Sequence, residues 1–284
     1  METRPLAGQP GADRTLLARP PLELAIAEIR FAGTKGELPT DAGLRLRDRL
    51  QQAGLATSRL EPRQTQRVNF TMAPGVPPSV EVGTSGWLVA NTDASTQVTL
   101  LPEAAVFQTA HYHRWSVTMR PPIEALLSAV AELVSPALVI RVGLRYVNRL
   151  VDEQARTVAA WVGRVAPSFL GPVGHQELGP LITAAQQQVD LAFSETQGAI
   201  VRHGPFRDES RSRSVSYLLD IDCFDSTPSR FEVREISERA EVLNRTAARV
   251  FQYVLTDEYR RQLQTDGNGE QIEAVHPGED VTNR

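Results

Sequence analysis

Residues 138–150 read Leu138-Val139-Ile140-Arg141-Val142-Gly143-Leu144-Arg145-Tyr146-Val147-Asn148-Arg149-Leu150, and this stretch decides the fold class. Taken two residues at a time, Leu138, Ile140, Val142, Leu144, Tyr146, Asn148 and Leu150 form one row, and Val139, Arg141, Gly143, Arg145, Val147 and Arg149 the other. A period of two is that of a strand with one face buried. The expectation is that Leu138, Ile140, Val142 and Leu144 lie beneath helices while Arg141, Arg145 and Arg149 share the open face. At a strand rise of ~3.3 Å per residue, neighbouring arginines stand roughly 13 Å apart, a spacing for several anionic contacts along a surface and not for one compact catalytic pocket.

Working outward, the chain divides into two similar runs. In the first, Leu22 to Phe31 reads as a strand, and Pro39 to Ala53 as a helix opened by Pro39-Thr40-Asp41 and closed by Gly54. Strands are expected near 64–72, 86–91, 96–101 and 104–111, set apart by Pro and Gly turns. A helix follows from Trp115 or Pro121-Pro122 to Pro136. The second run opens with the arginine strand. A helix near Glu153–Val162 and a Pro- and Gly-rich loop over Pro167–Gly179 come next, then strands near 181–194, 198–204 and 214–224. A long helix from Arg234 to Gln264 carries Ile236, Ala240, Leu243, Ala247, Val250, Val254 and Leu255 on one stripe, with Glu238, Arg239, Glu241, Arg245 and Arg249 outside it. The predicted class is α+β: a curved, mainly antiparallel sheet with helices on one face, built from a duplicated β-α-β(n)-α unit. The halves are 21–134 and 135–263, and the Gly/Pro-rich 1–20 and the acidic 264–284 are expected to be disordered ends.

Composition narrows the function classes. Among 284 residues, 41% are hydrophobic and 23% charged, and the formal net charge is −4, which gives no general attraction to nucleic acid or anionic membrane. The single cysteine, Cys223, forms no internal disulfide and no cysteine-rich zinc site; between Asp222 and Asp225 it reads as a buried structural residue. There is no apolar run long enough to cross a membrane and no signal-peptide core in Met1–Pro20, so a cytoplasmic location is expected. The motifs GxGxxG, GxxxxGK[ST], GxSxG and HExxH are absent.

Chemistry then falls to the polar sheet face. If the later strands share a sheet with residues 138–150, that face presents Arg141, Arg145, Arg149, Gln186, Gln188 and Asp190 as ligand-binding candidates, with Asp220 and Asp222 beside them. Arginine grips carboxylates and phosphates bidentately, and Gly143 leaves room for a ligand above the backbone. The alternative is Arg–Asp pairing across strands on a solvated face. Asp220-x-Asp222 places two carboxylates on one side, a pattern that can hold a hard cation. Asn148 interrupts the apolar row and is expected to fix backbone at the strand end. His111-x-His113 is expected to mark a strand-to-helix junction, and Arg202-His203-Gly204-Pro205 with Arg207, Arg211 and Arg213 a basic hairpin or loop.

Three stretches, Pro21-Leu22 with Glu28-Ile29-Arg30-Phe31, then Tyr112-His113-Arg114-Trp115, then Arg141 to Arg149, resemble a family of uncharacterised, sporadically distributed bacterial proteins. The last block is similar to that family's R-x-G-L-R-Y-x-N-R pattern. The resemblance brings no activity, cofactor or catalytic residue; sporadic occurrence implies an accessory role, such as defence or a toxin–antitoxin pair. The leading expectation is a non-enzymatic, cofactor-free binding module whose partner is another protein, with an anionic ligand at the arginine strand and homodimerisation as further options, and without membrane or nucleic acid. The rival is a metal-dependent enzyme on a phosphorylated or nucleotide substrate, using the arginine strand and Asp220 with Asp222.

Overall fold

A computed structural model describes residues 17, 20–33, 38–69, 79–210 and 214–264, with backbone alone for 64–69 and 79–84. Most of the two ends expected to be disordered, 1–16 and 265–284, lies outside the described residues, as do Arg211 and Arg213. Among the described residues ten strands form one open sheet: β1 (Leu22–Ala32), β2 (Arg59–Asn69), β3 (Ser79–Ala90), β4 (Thr96–Leu100), β5 (Ala104–Thr109), β6 (Leu138–Leu150), β7 (Gln187–Ala192), β8 (Gln197–Arg207), β9 (Val215–Asp225) and β10 (Ser229–Arg230). Their order is β2-β3-β4-β5-β1-β6-β9-β8-β7, with β10 added to the end of β6, and these pairings are antiparallel. The helices are α1 (Ala42–Gln52), α2 (Arg120–Leu133), the single turn α3 (Pro167–Leu170), α4 (Val233–Val254) and α5 (Asp257–Gln264). The class is α+β.

Alternation in the central strands builds the core on one side. Ala25, Ala27, Ile29 and Phe31 of β1, Val142, Leu144 and Tyr146 of β6, and Tyr217, Leu219, Ile221 and Cys223 of β9 are buried. They meet Leu46 and Leu50 of α1, Ile123, Leu126, Leu127 and Val130 of α2, and the α4 stripe from Ile236 to Val254. Burying such side chains contributes roughly 1.5–3 kcal/mol each against an extended chain.

The two runs place their strands alike. In each, the opening strand lies at the centre of the sheet (β1, β6), a later strand of the same run pairs with it (β5, β9), the strands between step outward, and a helix follows (α2, α4). They differ in that the first meander has four strands and the second three. The helix expected over Glu153–Val162 is replaced by turns and a short 3-10 segment, Val158–Trp161. Tertiary anchors account for this: the Trp161 indole N–H donates to the Val215 carbonyl at 3.0 Å, and the Val215 N–H donates to the Ala155 carbonyl at 2.7 Å. The strand expected over 181–194 begins only at Gln187, because Gly179-Pro180-Leu181 forms a 3-10 turn and Leu181 is exposed. The expected loop over Pro167–Gly179 contains α3 and a 3-10 turn.

The long C-terminal helix breaks at Leu255-Thr256. There the Thr256 N–H donates to the Arg164 carbonyl at 2.9 Å, and the Thr256 hydroxyl accepts from the Tyr259 N–H at 3.2 Å, opening α5 as a cap. Arg239, expected in solvent, is instead drawn inward. It donates to the Asp225 carboxylate at 3.1 Å and to the carbonyls of Asp225 and Thr227, tying α4 to the end of β9.

At the start of β6 the expected phase is overturned. Leu138 and Ile140 are exposed and Val139 is buried, the reverse of the sequence expectation. Arg30 pairs with Arg141 but Phe31 pairs with Val139, so Ile140 is the extra residue of a β-bulge. A one-residue insertion exchanges the two faces, and the even-inward alternation holds only from Val142 onward.

Candidate functional site

The sheet face away from the α1, α2 and α4 layer collects the arginines. β6 projects Arg141, Arg145 and Arg149 there, β1 adds Glu28 and Arg30, β9 adds Asp220, Asp222 and Phe224, and β8 adds Ile200 and Arg202. Each cation meets a carboxylate of this chain, from a neighbouring strand or turn for all but Arg30, whose partner Glu28 shares its strand. Arg145 donates bidentately to Asp220, Nε–Oδ1 2.8 Å and Nη2–Oδ2 2.7 Å, and Arg202 reaches the same carboxylate at 3.5 Å. Arg141 donates to Glu28 at 2.5 Å, and Glu28 also accepts from Arg30 at 3.0 Å. Arg149 pairs with Asp208 at 3.0 Å and with Glu23. Five arginines are thus set against Glu23, Glu28, Asp208, Asp220 and Asp222, and the face is close to neutral.

The pairs are ordered by what lies beneath them. The Asp220 side chain is only 4% exposed while Arg145 above it is 43% exposed, so the carboxylate is covered and the guanidinium faces out. Arg141 lies flat over Gly143; a methyl group at that residue would stand 2.5 Å from its Nη1. Its guanidinium carbon is 5.5 Å from the centre of the Phe224 ring, within cation–π range. The space that Gly143 opens is therefore filled by this chain's own Arg141. Gly198 serves Phe224 in the same way, since a methyl group there would stand 2.9 Å from the ring. Asp208 is held below the usual carboxylate range, first by the Ser210 hydroxyl, then by Ser216 and by Arg149.

Asp222 differs from the other acids. It lies directly opposite Arg145 on β6, yet Arg145 turns diagonally to Asp220. Among the described residues Asp222 finds no hydrogen-bond donor, and its nearest cation, Arg141, is 3.7 Å away. Burial pushes its carboxyl up, against the pull of Arg141 and Arg145. Interleaved with the charges are Leu24, Ile26, Val106, Val147, Ile200 and Leu218, half-buried side chains that take no part in the helix-side core.

Other sequence candidates fall elsewhere. Gln186 precedes β7 and is exposed; Gln188 and Asp190 lie on β7 and hydrogen-bond to each other at 3.0 Å, beyond Arg202 and Ile200. Asn148 donates to the Leu219 carbonyl at 3.0 Å and the Tyr146 carbonyl at 3.4 Å, fixing β6 to β9. Cys223 is fully buried on the helix side, its thiol pushed up to about 12 by burial and by Asp222. Arg202 and His203 lie mid-strand in β8, an arm of the β8–β9 hairpin, and not in its loop; His203 is buried, with Nδ1 2.7 Å from the Tyr217 hydroxyl, and burial lowers its pKa. His111 and His113 line a cleft of about 330 Å³ with Gly54, Asn91 and Thr118 at the entry to a π-turn, Trp115–Met119, that runs into α2. Tyr112 packs edge-on against Tyr146 at 5.6 Å, and Tyr146 donates to Asn244 of α4 at 2.8 Å, so two of the resemblance motifs meet on the helix side.

Among the described residues no group of three or more His, Cys, Asp or Glu is placed to hold a metal ion, and no helix is long and apolar enough to cross a membrane. Sequence reasoning misses Glu28, Arg202, Asp208 and Phe224 as residues of this face. Glu28 and Phe224 carry the needed signal, the two-residue alternation of their strands. No family model matches the chain, and no curated protein matches it.

Proposed function

We propose that the chain is a non-enzymatic binding module that engages a protein partner through the face of β1, β6, β9 and β8 turned away from α1, α2 and α4, in the accessory role that the resemblance implies. The observation that carries this reading is the pairing of the face arginines with carboxylates of the same chain. A site for phosphate or nucleic acid needs uncompensated positive charge. A mixed-sign face with apolar side chains between the charges suits a protein surface, where complementary charges set register and apolar contacts supply affinity. Asp220, covered by Arg145 and approached by Arg202, gives little support to the rival in which it binds a metal.

The test compares wild type with Ile26→Lys, a half-buried position on this face, in capture of binding proteins from the native host's extract. A protein retained by wild type and lost by the variant, at unchanged melting temperature, supports the reading. Capture that is indifferent to the substitution overturns it. So does saturable binding of inorganic pyrophosphate or ATP that disappears in Arg145→Met.

A further inference from the structure

We infer that a partner of this face is a second copy of the same chain, the two sheets packing face to face about a two-fold axis that runs along the strands between β6 and β9. This rests on the binding-face reading above and names its occupant. Straight across the open face, the paired residues are Asp190, Ile200, Asp222, Arg145, Ile26 and Gln108, from β7, β8, β9, β6, β1 and β5. A two-fold axis between β9 and β6 lays this row on its own reverse. Arg145 then meets Asp222 of the second copy, Ile26 meets Ile200, and Gln108 meets Asp190. Each pairing occurs twice, as an isologous contact requires.

The next row on one side sets the Phe224 ring of one copy against the Arg141 guanidinium that lies over Gly143 of the other, an aromatic ring facing a cation. On the other side Val147 meets Asp220, whose carboxylate is already covered. Sheets packed face to face stand ~10 Å apart and are turned by ~30°, so the rows nearest the axis hold register best, and these carry the charge pair.

The hydrogen-bond inventory supports the same contact independently. Asp222 is the face carboxylate that no donor among the described residues satisfies. Arg145 commits Nε and Nη2 to Asp220, and among the described residues its Nη1 has no acceptor on an outward-facing side chain. An acceptor and a donor left open side by side, one on each flank of the axis, satisfy each other across a symmetric interface. Area allows a modest contact as well: the six overlapping strands at ~4.8 Å spacing and ~20 Å length offer roughly 580 Å² per copy, toward the low end of specific interfaces.

Sedimentation equilibrium on the full chain tests the proposal, with Ile26→Lys and Ile200→Glu as separate variants. Both sites lie outside the core, so each variant should keep the wild-type melting temperature at concentrations low enough that the wild type is dissociated. The expected result is a wild-type dimer, with each single variant about 100-fold weaker because each change enters the interface twice. The two variants mixed should associate again. The ammonium introduced at position 26 of one copy then faces the carboxylate introduced at position 200 of the other, while the second Ile26–Ile200 contact stays intact. A wild-type chain that is monomeric at ~100 μM overturns self-association; the binding-module reading then still stands or falls on the capture experiment. A dimer that survives both single changes, or singles that do not recover on mixing, also overturns the proposed interface.

Discussion

Replacing Arg145 by methionine separates a structural role for the arginines from a ligand-gripping one. If Arg145 exists to neutralise Asp220, its loss leaves a covered carboxylate with Arg202 at 3.5 Å as its remaining cation. Removing one partner of a fully buried pair costs about 3–5 kcal/mol. Arg145 is itself well exposed, so solvent and Arg202 relieve part of that penalty, and about 1.5–3 kcal/mol is expected. For an ordered region of this size that lowers Tm by roughly 3–12 °C. Urea melts followed by circular dichroism at neutral pH measure it, with Asp220→Leu and the double variant completing a cycle. The double variant should recover part of the loss, because no unpaired charge then remains. An Arg145→Met protein with unchanged or raised stability would refute the reasoning and return the arginine to the pool of ligand-binding groups, where repulsion among free cations is relieved by deletion.

Arg239→Met should cost about 3–5 kcal/mol in the same melts, since Asp225 and two carbonyls lose their donor in a site where both side chains are mostly buried. Although burial alone would raise it, Asp225 is held below its ordinary value by Thr227 and Arg239; its contribution is therefore present above the unfolded carboxylate pKa and lost as pH falls through the folded one. The difference between wild type and Arg239→Met should shrink below about pH 4, and a difference constant from pH 7 to pH 3 would contradict this. Asp222→Asn should raise the monomer's melting temperature at neutral pH and not in strong acid: burial raises the Asp222 pKa, so its favourable contribution is lost as pH rises through the folded value. Val139→Lys should unfold the chain while Ile140→Lys changes stability by less than about 0.5 kcal/mol, which thermal melts can check; equal effects would remove the bulge.

Much of the fold was legible because the signals were local. Alternation gave β1, β6 and β9 their inner and outer rows, and the apolar stripe gave α4 its buried face. The bulge was not legible, since Leu138, Val139 and Ile140 are all apolar and fit the core in either phase. Partner strands decide the phase, through Phe31 pairing with Val139. The break before α5 did carry a signal, a threonine followed by Asp257 and Glu258, which is how a new helix begins. The amphipathic stripe running across it concealed the stop.

The site was half legible, for a reason that concerns sheets in general. A strand's sequence lists the charges it contributes and nothing about those it will face. Read alone, β6 offers three arginines and no acid, which is the pattern of an anion grip. Its counter-charges arrive from Glu28 on β1, 113 residues away, from Asp220 on β9, 75 residues away, and from Asp208, 59 residues away. The contacts are also offset: Arg145 stands opposite Asp222 but bonds to Asp220. That offset leaves Asp222 without a hydrogen-bond donor among the described residues while its neighbour is doubly served. In the monomer Asp222 has solvent and Arg141 at 3.7 Å as its partners, and a second surface that presents the opposite order would supply a direct donor. In the proposed reading, the same displacement that commits the arginines to this chain's own carboxylates suits the face to a protein partner.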